Sequence, residues 1–297
     1  MSDPTNGPTS GPMKGAVSGA TTTARTTATT GADPGGTSHT LAGQTVLAVF
    51  AHPDDESIAC GGTLARLADE GARVVVMTAS HGERGAMTGP ARDDALGLAR
   101  AIEMRAAAEA LGIASLIIGD HPDGDLRWSH ITEFHADLVL FMRRHSPAAV
   151  ITFGEDGLYW HLDHVAVYER TTTAVRSLGA LAPPLYYVTM KRGIMPEIVT
   201  AARARGWSPS PKGFWSLTPE AFGLAAEEPT LLVDVADWVP RKLAAIRCHR
   251  SQMGDDHPFA QISDADARRL LGVEYFHRAL IPTSGAPILE SLCTSRH

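Results

Sequence analysis

The sequence predicts an α/β fold: a doubly wound, mostly parallel, Rossmann-like sheet with helices on both faces and C-terminal additions. Two observations lead there. Short apolar, β-branched runs recur along the chain after residue 44, and amphipathic stretches of helical period separate them. Strands buried on both faces read as continuous apolar runs, and their alternation with helices is the signature of a parallel sheet.

Thr45 to Phe50 (TVLAVF) is the first such run. Residues from Ser57 or Ala59 to Glu70 read as a helix, with Gly71 placed as its C-terminal glycine. Arg73 to Ala79 (RVVVMTA) is the second strand. Asp93 to Leu111 reads as a longer helix closed by Gly112, its stripe formed by Leu96, Ala99, Ile102, Ala106 and Ala110. Ser115 to Ile118 is a third strand, and His130 to Arg144 a helix that stops at Ser146-Pro147. Ala148 to Phe153 is a fourth strand, followed by a helix from about His161 to Leu178. Beyond it, Pro184 to Met190 and Thr230 to Val235 read as strands, with an irregular Pro/Trp/Gly-rich stretch between them. Trp238 to His249 reads as a helix, and Glu274 to Ala279 as a last strand or edge.

Composition narrows the class. Of 297 residues, 44% are hydrophobic and 20% charged, and the net charge is −7. No basic patch suits a phosphate backbone, so nucleic acid is not an expected partner. No apolar window approaches the ~18 residues of a membrane span, and no signal-peptide pattern opens the chain. Cys60, Cys248 and Cys293 are odd in number and widely spaced, which fits a reducing compartment and a cytoplasmic location. Residues 1–40 run in Thr, Gly, Ala, Ser and Pro and are expected to be a disordered tail, leaving 41–297 as the folded domain. The sequence does not fix an oligomeric state.

In open α/β sheets the functional crevice lies at the carboxyl ends of the strands. Two clusters of metal-type residues fall there. Ala51-His52-Pro53-Asp54-Asp55-Glu56 follows the first strand, and Gly157-Leu158-Tyr159-Trp160-His161-Leu162-Asp163-His164 follows the fourth. A dinucleotide site would carry GxGxxG in the first position; three acidic residues there exclude it. A His and a carboxylate three residues apart, with a distant His, make a three-ligand set that leaves a fourth position for water, as catalytic zinc requires. A second, non-ligating carboxylate then serves as proton acceptor. The bland alternatives are a solvated helix-capping turn for Asp-Asp-Glu and surface histidines on one helical face for His161 and His164.

At these residues the chain resembles the LmbE-like (PIG-L) de-N-acetylase family. The likeness runs from about Gln44 to Arg176, with fainter matches near Lys242 to Gln252. It is carried by AHPDDESIACGGTL, VVVMTASHGERG, Arg100-x-x-Glu103, the PDGDL segment Pro122 to Leu126, and FGEDGLYWHLDH. The resemblance implies a zinc-dependent hydrolase that removes acetyl from an N-acetylated amino sugar or N-acetylglucosamine conjugate. It implies His52, Asp55 and His164 as zinc ligands, Asp54 as general base, and His161 as stabiliser of the tetrahedral intermediate. Asp163 would orient His161 and raise its pKa, and Tyr159 would stand near the oxyanion. Two departures stand out: Leu162 replaces the usual proline of HPDH, and Trp160 replaces a small residue.

Weaker substrate-binding candidates are Arg100, Asp123, Trp160 and His249. Each has a plainer account: an Arg100–Glu103 helical pair, a Pro-Asp-Gly turn, a core indole, and a helix C-terminus. Two histidines and one carboxylate also suit ferrous iron. A magnesium-dependent phosphoryl-transfer enzyme and a sugar-binding module without turnover are the competing readings. The first prefers all-oxygen coordination, and the second has no use for Asp54 and His161.

Overall fold

Five apolar runs pair side by side in parallel, and the order in which they pair creates the crevice. The computed structural model describes residues 40–85, 93–128, 130–208, 217–254, 257–283 and 285–293. The tail expected over residues 1–40 lies, apart from Thr40, outside them. The strands are β1 (Thr45–Phe50), β2 (Arg73–Thr78), β3 (Ser115–Ile118), β4 (Ala149–Phe153), β5 (Leu185–Thr189), β6 (Leu231–Asp234) and β7 (Val273–Arg278). They form one sheet in the order β3-β2-β1-β4-β5-β7-β6. β1 pairs in parallel with both β2 and β4, so the chain winds outward in opposite directions from that junction. In open α/β sheets the ligand crevice lies at this switch point, where the loops after β1 and β4 diverge.

Burial explains why these runs are strands. From Val46 to Phe50 every β1 side chain is inaccessible, as are Val74, Val75 and Val76 of β2 and Val150, Ile151 and Phe153 of β4. Each large apolar side chain so buried contributes roughly 1.5–3 kcal/mol relative to exposure. The covering helices are α1 (Asp55–Asp69), α2 (Asp93–Leu111), α3 (Ile131–His145), the short turn α4 (Gly157–Trp160) and α5 (Leu162–Ser177).

The C-terminal part differs from the sequence reading. β7 is the last strand, as one of the two readings has it, but not an edge: it pairs antiparallel with β5 on one side and with β6 on the other, and β6 takes the edge. Helices α6 (Ile194–Arg203), α7 (Val239–Cys248), α8 (Pro258–Gln261) and α9 (Asp264–Leu271) pack around their own apolar cluster, including Ile198, Trp207, Leu243, Phe259 and Leu270. The stretch read as irregular therefore contains α6. Pro196 falls within its first turn, where a missing N–H costs no helical hydrogen bond.

One contact ties this part to the crevice. Helix α1 is kinked at Cys60 (φ −150°, ψ 29°), which frees N–H groups in the turn that follows. Glu274 on β7 accepts from Gly62 N at 2.9 Å and from Thr63 N at 2.7 Å, and Lys242 on α7 donates to the same carboxylate at 2.6 Å. A Cβ on Gly62 would lie 2.7 Å from Val235, so only glycine allows this approach.

Candidate active site

The loop after β1 makes a tight turn into α1. His52 N donates to Asp55 Oδ2 (2.8 Å), while Asp54 O receives Ser57 N and Ile58 N, both at 3.1 Å. Asp54 pivots between the two with φ 121°, a conformation that favours glycine and costs about 1–3 kcal/mol in other residues. The second loop is strained in the same way, with Leu158 at φ 69° and Trp160 at φ 64°. Strain concentrated in two facing loops marks a functional site more often than a packing accident.

The two loops bring His52, Asp55 and His164 together. Asp55 Oδ2 lies 3.5 Å from His52 Nδ1, and Asp55 Oδ1 lies 3.2 Å from His164 Nε2. Each contact is close to the ~3.3 Å that separates ligand atoms on tetrahedral zinc, but the two use different oxygens of Asp55. Among the described residues, the sets whose ligand atoms all fall within 4.8 Å of one another are His52 with His161 and His164, and His52 with Asp123 and Asp163. The tautomer of His164 suits a ligand at Nε2. His164 Nδ1 sits 3.1 Å from Gly157 O, so its proton belongs there and the Nε2 lone pair is left for Asp55's neighbourhood. The ring is stacked on Phe153, the last residue of β4, at 4.1 Å between centroids.

His52 Nε2 is held from behind by two carboxylates, Asp123 Oδ1 at 3.0 Å and Asp163 Oδ2 at 3.2 Å. Nδ1 is thus the nitrogen left to bind a cation. When none is bound, burial pulls the ring's pKa down, but Asp123, Asp163 and Asp55 outweigh it and hold the pKa well above its ordinary value. A carboxylate behind a metal-type histidine is the usual way to fix ring orientation and raise basicity. Although its burial works the other way, the contact with His52 lowers Asp123 to about 2.

This geometry corrects the expectation for Asp163. Its carboxylate is taken up by His52, Gly124 N (2.7 Å) and Leu126 N (3.2 Å), because the first turn of α5 points it at the Pro122–Leu126 loop. To His161 it gives its backbone, Asp163 N donating to Nδ1 at 3.3 Å, and a charge that raises the ring's pKa but is outweighed. On balance His161 is not raised. Burial, with His164 and His52 adjacent, pushes it down to about 4, so the ring is neutral with its proton at Nε2. Its centroid lies 5.0 Å from that of His52 and 4.5 Å from that of His164, and the three rings each offer a nitrogen within 4.8 Å of the others.

Asp54 stands on the other side. Burial pushes it up to about 6 against the pull of Arg100, whose Nη2 lies 3.3 Å from Asp54 Oδ1. Tyr159 is half-buried, its ring 5.3 Å from His164, 5.8 Å from His161 and 4.9 Å from Phe222.

Three of the weaker candidates hold other protein groups in this structure. Arg100 is buried and donates to Pro53 O (2.6 Å) and Gly82 O (2.9 Å), clamping the loops after β1 and β2. It does not pair with Glu103, which receives Ser251 N and Oγ. A Cβ at Gly82 would meet this guanidinium at 2.4 Å, which explains a glycine at φ 65° there. Asp123 serves His52. His249 is fully inaccessible, with Nε2 2.9 Å from Glu56 Oε1. Trp160 is 57% exposed and Leu162 52%, so the indole is no core residue: the two flank His161 at the surface. Glu56, whose buried carboxylate also receives Asp54 N, carried no weight in the sequence reading. It stood in the motif, but its partner 193 positions away did not.

Among the described residues, no helix is long and apolar enough to cross a membrane. Comparison with known structures returns the same fold on enzymes of different chemistry. The 4-carboxy-2-hydroxymuconate hydratase GalB of Pseudomonas putida is 20% identical with a TM-score of 0.58, covering 82% of this chain and 99% of that one. The N,N'-diacetylchitobiose deacetylase of Pyrococcus horikoshii is 22% identical with a TM-score of 0.56, covering 80% and 87%. At this distance the likeness is one of architecture, and reaction must be argued from the site. Sequence relatives are nearer. The 1D-myo-inositol 2-acetamido-2-deoxy-alpha-D-glucopyranoside deacetylase of Acidothermus cellulolyticus is 33% identical over 256 residues, covering 78% of this chain and 88% of its own. The enzyme of the same description from Thermobispora bispora is 31% identical over 268 residues, covering 80% and 88%. The family model described as GlcNAc-PI de-N-acetylase matches residues 47–175, the span that holds both loops. The chain belongs to that PIG-L family of metal-dependent de-N-acetylases.

Proposed function

We propose that this protein hydrolyses the acetamide of an N-acetylglucosamine conjugate, releasing acetate and a free amine, with zinc held by His52, Asp55 and His164. The observation that carries the reading is the spacing of Nδ1, the Asp55 carboxylate and Nε2, 3.5 and 3.2 Å, with Asp54 and His161 beside it. Zinc bound there supplies a Lewis acid for the acetyl carbonyl and the attacking water.

The chain's own groups supply the rest. Asp54, raised to about 6 by burial, is ionised at neutral pH yet basic enough to take a proton from the attacking water. His161, with Nδ1 occupied by Asp163 N–H, presents Nε2–H to the oxygen that gains charge as the carbonyl becomes tetrahedral. The proton on Asp54 is then available to the departing nitrogen. Trp160 and Leu162, exposed on both sides of His161, suit the apolar face of a sugar ring.

The test is a panel of N-acetylated sugars and inositol or thiol conjugates, assayed for released primary amine and acetate. Chelator-stripped protein should be inactive and recover with zinc; ferrous iron, which suits the same ligands, is run beside it. Release of neither product from any member, by metal-loaded protein, would overturn the proposal.

A further inference from the structure

We infer that Glu56 and His249 form a buried positioning pair that holds Asp54 in its strained backbone conformation. This rests on the reading of Asp54 as the base, and it extends the site beyond residues 47–175 to the end of α7.

A non-glycine residue at φ 121° persists only where its surroundings over-determine it. Every polar backbone group of Asp54 is in fact taken. Its carbonyl receives the N–H groups of Ser57 and Ile58, the third and fourth residues of α1, at 3.1 Å each, and its N–H donates to Glu56 Oε2 at 3.0 Å. The other Glu56 oxygen receives Ser57 Oγ at 2.6 Å and His249 Nε2 at 2.9 Å.

Glu56 and His249 are both inaccessible to solvent. A glutamate serving only the helix N-terminus would do so from the surface, hydrated. Sinking it beneath the site requires a buried hydrogen-bond partner, and His249, with Nε2 2.9 Å from Oε1, comes from 193 positions away to provide one. The pair links α7 to Asp54: His249 fixes the Glu56 carboxylate and the carboxylate fixes the Asp54 amide, while Ser57, whose Oγ lies 3.3 Å from His249 Nε2 and whose N–H donates to Asp54 O, runs beside it. Neither side chain touches the substrate crevice, so both are positioning residues.

The test compares wild type with Glu56→Ala, Glu56→Gln, His249→Ala and His249→Gln. Readouts are kcat, KM, bound metal, and the Asp54 backbone angle in crystals of the metal-free proteins. Both alanine variants should lose on the order of 100-fold in kcat, the cost of a base displaced by about an ångström, with KM and metal stoichiometry unchanged. His249→Gln keeps an N–H for Glu56 and should recover most of the loss. Glu56→Gln offers one acceptor oxygen where the carboxylate used two, and should fall between. Asp54 should leave positive φ in Glu56→Ala or, if that variant fails to fold, shift in Glu56→Gln. Metal loss in step with kcat, no rescue by glutamine at 249, or an unmoved Asp54 in the Glu56 variants would each overturn the pair. If wild type itself hydrolyses no substrate, the deacetylase reading fails, and the backbone angle alone decides the positioning claim.

Discussion

Asp163 and His52, 111 positions apart, meet with a carboxylate oxygen 3.2 Å from Nε2, and Asp123 approaches the same nitrogen at 3.0 Å. One N–H cannot serve two carboxylates fully, so the ring is oriented by both and dependent on neither alone. Asp163→Asn and Asp123→Asn should each weaken metal binding modestly. The double variant should weaken it by about 10–100-fold, the usual cost of losing such outer partners. Chelator competition measures this directly. A double variant that holds metal as wild type does would remove the carboxylates from the account.

Gly157 is the narrowest point of the second loop. It has φ 53°, its carbonyl accepts from His164, and an added Cβ would lie 2.8 Å from the Cβ of His164. Gly157→Ala should therefore push His164 away from Asp55. We expect a stability loss of more than about 1 kcal/mol from the backbone alone, and a larger loss of bound metal. Metal analysis of the folded variant decides it; full metal content would mean that the loop yields without moving the ring.

Much of this was legible in the chain, for a physical reason. β1, β2 and β4 are buried on both faces, so TVLAVF, RVVVMT and AVITF are almost wholly apolar inside, Thr152 alone turning its hydroxyl back onto Val49 O at 2.9 Å, and the loops beyond them hold the chemistry. Local signals failed where partners are remote. The roles of Asp123, Asp163, Arg100 and His249 depend on which distant group each meets, and motif spacing carries no such information. Helix α9 escaped because its eight residues, DADARRLL, carry only two large apolar side chains, although Ser263 caps it through Asp266 N at 3.1 Å. The place of β7 inside the sheet follows from its pairing, which alternation alone does not specify.

Glu274 gives a stability prediction. It neutralises Lys242 and caps the second half of α1, and both charged residues are only 3% exposed. Glu274→Ala leaves a buried ammonium unpaired and the N–H groups of Gly62 and Thr63 without their acceptor. The expected loss is about 3–5 kcal/mol, read from chemical denaturation. Glu274→Gln, which retains one acceptor oxygen, should lose less. A loss under about 1 kcal/mol for the alanine variant would show that water or relaxation replaces the carboxylate.

His257 supplies a pH dependence away from the catalytic loops. Burial alone pushes it down to about 3, and its Nδ1 accepts from Phe259 N at the start of α8. With a folded value below the unfolded value of about 6.5, the unfolded chain takes up the proton first. Its contribution is thus complete above pH ~6.5 and declines as the pH falls toward 3. At pH 5 the difference is 1.5 units, or about 2 kcal/mol at 1.36 kcal/mol per unit. His257→Asn keeps an acceptor for the helix N-terminus and removes the titration. Urea unfolding at pH 7.5 and pH 5 should therefore show a fall in the variant smaller than the wild-type fall by about that amount. Equal falls in the two proteins would mean that the imidazole takes up its proton inside the folded chain.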